Sequence, residues 1–171
     1  MLCLDLSDVR KEYARKMEFL DQVCDGSQGE VHLGYWLCSV IGAAVHGSEL
    51  TPLYQQLFSA RAQEFVSEND ERLSAIDQLR AQTRGRGIWA MDRGGDRRKL
   101  LEPLLERQER FVIRSTGQRL VLDRRHHRVT IHHLSARCRL RYQAKIVNIE
   151  NGQEKVYSLH YGAEPFRLSG P

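Results

Sequence analysis

The sequence predicts an α/β domain that gives way, after Gly117, to an antiparallel β segment. Two observations carry this. Short apolar runs at residues 2–6, 88–91 and 111–113 alternate with stretches of helical period, as strands wrapped by helices do. Beyond Gly117 the helical period fades, and short alternating runs separated by turn residues replace it. The length agrees, since 171 residues supply one domain with a core and part of another. The predicted units are residues 1–116 and 117–171.

Each element follows from its local pattern. Leu2-Cys3-Leu4-Asp5-Leu6 alternates too little for a strand exposed on one side, and it predicts a buried strand carrying a functional carboxylate. Residues 11–24 place Tyr13, Met17, Leu20 and Cys24 at helical spacing and predict a short amphipathic helix, and residues 25–29 form a turn signal. Residues 35–45 predict a long central strand. His46-Gly47-Ser48-Glu49 connects it to another, which Pro52 closes. The clearest helix runs from about Ala62 to Gln82, with Phe65, Leu73, Ile76 and Leu79 near helical period. Glu64, Glu68, Asp70 and Glu71 load its early turns, where negative charge suits the helix dipole, and Gly85 and Gly87 end it.

Ile88-Trp89-Ala90-Met91-Asp92 is a second buried strand ending in an acid. Residues 97–108 are helical, with Leu100, Leu101, Leu104 and Leu105 on one side, and Pro103 bends the helix or marks its first turn. Phe111-Val112-Ile113-Arg114 is a third short strand. Four further strands are expected at residues 120–122, 128–131, 144–147 and 156–159, with Asn151-Gly152 as a hairpin turn between the last two.

Composition excludes several classes. With 41% hydrophobic and 28% charged residues, the chain is not compositionally disordered. No apolar run approaches the roughly 18 residues of a membrane span, and Asp5 interrupts any signal-peptide core, so a cytoplasmic protein is expected. Cys3, Cys24, Cys38 and Cys138 are widely spaced without a CxxC, which favours reduced, mostly buried thiols. Residues 1–90 hold 9 Lys+Arg against 13 Asp+Glu, whereas residues 91–171 hold 17 against 9, with 14 Arg to 3 Lys. An arginine-rich half suits phosphate contacts and a polyanion partner; the alternative is a solvated charged face.

The chemistry concentrates in Asp5 and Asp92, acids at the ends of apolar runs. If their strands are neighbours, both carboxylates converge on one divalent cation. Such hard oxygen ligands suit Mg²⁺ or Mn²⁺, whose shell water and substrate phosphate complete. Otherwise each acid caps the turn that follows it. His126, His127, His132 and His133 lack a recognisable zinc-ligand spacing. On a strand His127 would share a face with His133, and His126 with His132, in a basic ribbon with Arg124, Arg125 and Arg128.

Several of these stretches resemble the DDE transposases of bacterial insertion sequences. They are Asp5-Leu6-Ser7-Asp8-Val9-Arg10-Lys11, Asp25-Gly26-Ser27, Gly34-Tyr35-Trp36-Leu37, Pro52-Leu53, Phe58-Ser59 and Glu68-Asn69. The likeness is strongest at Trp89-Ala90-Met91-Asp92-Arg93-Gly94-Gly95-Asp96 followed by Phe111-Val112-Ile113-Arg114, and it extends over roughly residues 2–168. The resemblance implies a ribonuclease H-like core, in which acids on two neighbouring strands and a glutamate on a later helix hold two metal ions. It implies that Asp5 and Asp92 are catalytic metal ligands and that Mg²⁺ (or Mn²⁺) is the cofactor. Arg93 and Arg114 flank the site as phosphate contacts or as surface ion pairs, while Asp8 and Asp96 form turns or support the ligands. DNA, as transposon ends and target, is the implied partner, with Arg124, Arg125 and Arg128 on its backbone and a second copy of the chain to pair two ends. The segment after Gly117 matches the family's inserted β region. The family's third acid, in a Tyr…Arg…Glu…Lys pattern, has no counterpart before Pro171, and the expectation is a fragment with little activity alone. The rival expectation is a non-catalytic DNA-binding remnant or an inert relic.

Overall fold

The computed structural model describes residues 1–24 and 29–170. The chain is mixed α/β and divides into two compact units, Met1–Arg114 and Ser115–Pro171. The turn signal at residues 25–29 falls mostly outside the described residues.

The first unit opens with β1 (Leu2–Arg10), β2 (Asp21–Cys24), β3 (Val31–Ala43) and β4 (Leu50–Phe58). Strands β1 and β3 pair antiparallel from Leu2↔Gly42 to Arg10↔Gly34; β2 and β4 pair antiparallel with successive stretches of β3. Gly34 is needed where the strands crowd, because a Cβ there would lie 2.3 Å from the Val9 carbonyl oxygen. Helix α1 (Glu68–Thr83), β5 (Trp89–Met91), a 3-10 turn (Arg93–Gly95), α2 (Arg98–Glu106) and β6 (Phe111–Ile113) follow. Strands β5 and β6 extend the sheet in parallel, giving the order β2-β3-β1-β5-β6, with β4 also on β3.

One face of this sheet is packed. Leu2, Leu4, Cys38, Val40, Trp89 and Met91 form a single cluster with Ala75, Ile76 and Leu79 of α1 and Leu100 and Leu104 of α2. The opposite face carries exposed Cys3, Asp5, Ile41 and Val112. Strand β1 therefore alternates buried and exposed at its start, although its sequence does not look one-sided: Cys3, on the exposed face, is apolar enough to disguise the alternation.

Three further expectations are corrected. Residues 11–24 are not a helix: turns lead into β2, where pairing with β3 and the burial of Leu20 and Val23 outweigh a short helix that is weak alone. Pro52 does not close the strand after His46-Gly47-Ser48-Glu49. It sits inside β4 opposite Ile41, where a register shift between Val40 and Ile41 accommodates a residue without an N–H. The long helix starts at Glu68 rather than near Ala62, since Ser67 accepts from the Asp70 N–H and fixes the N-terminus there. Arg84, in the left-handed region with φ 54°, and Gly85 end it. Pro103 lies inside α2, not in its first turn.

The second unit contains β7 (Leu120–Leu122), β8 (Arg128–Thr130), α3 (Ile131–Ala136), β9 (Tyr142–Glu150), β10 (Gln153–Tyr161) and β11 (Arg167–Leu168). Strands β11-β7-β8 form one antiparallel sheet, and β9 and β10 form a hairpin across Asn151-Gly152, both at positive φ as their residue types favour. The hairpin is exposed along most of both strands, and Val121 is the only fully buried hydrophobic residue of this unit among those described. The helix α3 replaces the strand expected through Ile131, because the Thr130 hydroxyl accepts from the His133 N–H and starts a turn. No helix among the described residues is long and apolar enough to cross a membrane.

The expectation that most cysteines are buried is corrected: Cys38 is buried, Cys138 is half-buried, and Cys3 and Cys24 are exposed. Burial pushes the Cys38 thiol up to about 11, against a smaller opposing pull from the Arg72 cation. Alkylation of the native protein at pH 8 is expected to modify Cys3 and Cys24 and spare Cys38 until denaturant is added, as peptide mass mapping would report. Because the fold prefers the neutral thiol, Cys38 contributes stability below pH 9.0 that declines as pH rises towards about 11.

Candidate functional site

The parallel register decides where the two acids lie. Leu4 pairs with Met91 and Met91 with Ile113, so the next positions along the three strands are Asp5, Asp92 and Arg114. These share one row of the sheet, with Asp92 and Arg114 just past the C-terminal ends of β5 and β6. Leu4 and Met91 are buried against the helices, while Asp5 and Asp92 are exposed. Both acids are therefore solvated, which corrects the picture of carboxylates buried at strand ends. Asp5 also lies within β1 rather than at its end.

Each carboxylate is held by one oxygen. The Ser7 hydroxyl donates to Asp5 Oδ2 at 2.8 Å, and the Gly94 N–H donates to Asp92 Oδ1 at 2.8 Å. Asp92 thus caps the 3-10 turn and retains its other oxygen, as does Asp5, without a partner among the described residues. Such outward hard oxygens fit a divalent cation that keeps waters in its shell. Among the described residues, no group of three His, Cys, Asp or Glu side chains is close enough to form a larger ligand set.

An arginine that sequence reasoning passed over stands behind the Asp92 turn. A Cβ on Gly94 would lie 3.0 Å from Asp92 Oδ1 and 3.3 Å from Arg72 Nη2, so a side chain there would crowd both the carboxylate and the guanidinium. Arg72 is buried on α1, 6% exposed, and its Nη1 lies 3.3 Å from the Glu68 carbonyl oxygen and 3.5 Å from its carboxylate. Burial lowers its proton affinity, Glu68 opposes that, and nearby Arg97 adds to it. Arg97 reaches the same Glu68 carboxylate at 3.7 Å. The signal was present in the sequence, since Arg72 falls in phase with the apolar positions Ile76 and Leu79.

The remaining candidates are distributed as follows. Arg93 is exposed in the 3-10 turn beside Asp92, and Asp96 is buried at the end of that turn. Asp8 is not in a turn. It lies in β1 opposite Trp36, an odd number of positions from Asp5 and so on the other side of the strand. Arg124, Arg125 and Arg128 belong to the second unit, at and after the β7–β8 turn, and all are exposed. Arg124 lies 3.7 Å from Glu164. The Asp123 carboxylate accepts from the His127 and Arg125 N–H groups, which hold it below the usual carboxylate range. His132 and His133 sit on α3 rather than on a strand with His126 and His127, so the shared faces expected for the four histidines do not exist. Comparison of the chain with family models and with characterised proteins finds no match.

Proposed function

We propose that the first unit is a ribonuclease H-like core of the DDE transposase type. It would serve metal-dependent cleavage of a DNA phosphodiester and strand transfer at transposon ends. One observation carries the reading: Asp5 and Asp92 follow paired residues on adjacent parallel strands, each with one oxygen held and one outward. Acids on two neighbouring strands are what the resemblance calls for. Bound Mg²⁺ or Mn²⁺ supplies a nucleophile of lowered pKa and charge stabilisation at the leaving oxygen.

The chain's own residues have narrower tasks. Asp5 and Asp92 hold the cation, and Ser7 and the Gly94 N–H orient the two carboxylates. Arg114, in the same row, and Arg93, in the adjoining turn, face the phosphate backbone. Arg124, Arg125 and Arg128 bind backbone phosphate from the second unit, and a second copy of the chain would pair two DNA ends. Two carboxylates hold a divalent cation weakly, so the 171-residue chain is expected to nick DNA slowly and to transfer strands poorly.

A second reading has its own observation. Both acids already serve the chain, Asp92 as a cap and Asp5 as the acceptor from Ser7, as a non-catalytic DNA-binding protein would allow. Incubation of supercoiled plasmid with the purified chain separates the two. Nicking that needs Mn²⁺, stops with chelator and is lost in Asp5→Ala or Asp92→Ala supports the enzyme. Salt-dependent binding that Asp92→Ala leaves intact, without nicking, supports the second reading. Under either, replacing Arg124, Arg125 and Arg128 by alanine is expected to flatten the dependence of log affinity on log salt by roughly one unit per lost phosphate contact.

A further inference from the structure

A cavity of about 410 Å³ opens in the first unit between β4, the flank of α1 and the chain leading into that helix. Its walls are aromatic: Tyr35, Tyr54, Phe58 and Phe65 line it, the last two stacked with ring centroids 5.8 Å apart. The carboxylates of Glu64 and Glu71 also line it. Among the described residues no lysine, arginine or histidine does, in a chain with 26 Lys+Arg and 7 His. Other acids of this unit have cationic partners: Glu68 meets Arg72 and Arg97, Asp77 meets Arg107, and Glu109 meets Arg80. Glu64 and Glu71 have no ion-pair partner among the described residues. Burial raises the Glu71 carboxyl above its usual range, and the like charges of Asp70 and Glu64 add to this. The cavity therefore combines aromatic walls, interrupted by Gln56, Ser59, Ser74 and Gln78, with two carboxylates that no cationic side chain pairs among the described residues.

We propose that this cavity binds an organic cation, an alkylammonium or alkylguanidinium group whose charge lies between Glu64 and Glu71 and whose methylenes lie along the aromatic walls. Ring faces attract a desolvated cation, and the volume falls in the range of small-molecule pockets. A free polyamine and the basic side chain of a peptide share this chemistry. The site is separate from the row of Asp5 and Asp92 and does not depend on its function.

Isothermal titration of the full chain at low ionic strength tests this, using spermidine and a blocked lysine as probes and glutarate as the anionic control. The expected result is saturable one-to-one binding of a cation, weakened about tenfold or more in Glu71→Gln and in Glu64→Gln. The exposed acid variant Glu106→Gln should leave it unchanged. Binding of spermidine alone assigns the site to a free polyamine; binding of the blocked lysine as well assigns it to a basic side chain. Removing the half-buried charge of Glu71 should move the melting temperature little, because relief of its burial opposes the loss of a first-turn charge on α1, and Glu64, being exposed, supplies a second variant with a small folding effect. Absence of saturable binding by either cation, or equal affinity in the wild type and both glutamine variants, would overturn the proposal.

Discussion

Replacing Trp89 by alanine is expected to lower the free energy of unfolding by about 3–5 kcal/mol, the range for deleting a buried aromatic side chain. Trp89 is 1% exposed at the centre of the cluster that joins β1, β5 and both helices. Its indole N–H donates to Glu109 Oε2 at 3.1 Å, and the same carboxylate meets Arg80 at 2.8 Å. The substitution leaves a cavity and also strips a well-buried carboxylate of one of its donors, so the loss should fall in the upper part of that range. Trp89→Phe keeps most of the ring volume and removes the donor; about 1–3 kcal/mol is expected. Val112→Ala, on the exposed face of the same sheet, should change stability by less than about 0.5 kcal/mol. Urea titration followed by circular dichroism measures all three, and a Trp89→Ala midpoint close to wild type would contradict the packing described for β5.

Asp92→Asn is expected to reduce Mn²⁺-dependent nicking by about a hundredfold or more, since it removes a ligand charge while preserving shape. The amide oxygen of asparagine still accepts from the Gly94 N–H, so the 3-10 turn should persist. Because Asp92 is exposed, stability should move by less than about 1 kcal/mol. The pairing of a large loss of cleavage with a small change in stability distinguishes a ligand from a structural cap. Asp8→Asn is the internal control: Asp8 projects from the other side of β1, and its substitution should leave nicking at the wild-type rate. Equal effects of Asp8→Asn and Asp92→Asn would remove the case for a cation held by Asp5 and Asp92.

Parts of both units were legible where hydrophobic period and punctuation agree. The runs at β5 and β6, the leucines of α2 and the Asn151-Gly152 turn each carry one local signal without a competitor. The failures share a cause. Tyr13, Met17, Leu20 and Cys24 fit a helical period, but a lone short helix is weak in water, and pairing of residues 21–24 with β3 prevailed. Pro52 reads as a strand end unless the bulge beside it in β4, where Leu53 is left unpaired between Pro52 and Tyr54, is known in advance, and no local pattern reveals one. At α1 and α3 single hydroxyls, those of Ser67 and Thr130, set the start more firmly than the surrounding periodicity. The two acids were visible as residues, but their solvation was not, since it depends on which sheet face the helices cover. Arg72 went unread because its phase on α1 matters only once the Asp92 turn is seen beside it.

The antiparallel pairing of β1 with β3 joins segments close in the chain, whereas the parallel pairing of β1 with β5 closes a loop containing β2, β3, β4 and α1. Contacts spanning so much chain form late, after local hairpins have reduced the entropy still to be lost. In chain order, both antiparallel partners in the β1–β3 pairing therefore precede Asp92, and β5 is the strand that brings it beside Asp5. The row they share cannot exist until β5 is in place, and a chain ending before β5 would lack Asp92 as well as the Trp89, Met91, Leu100 and Leu104 that complete the packed face.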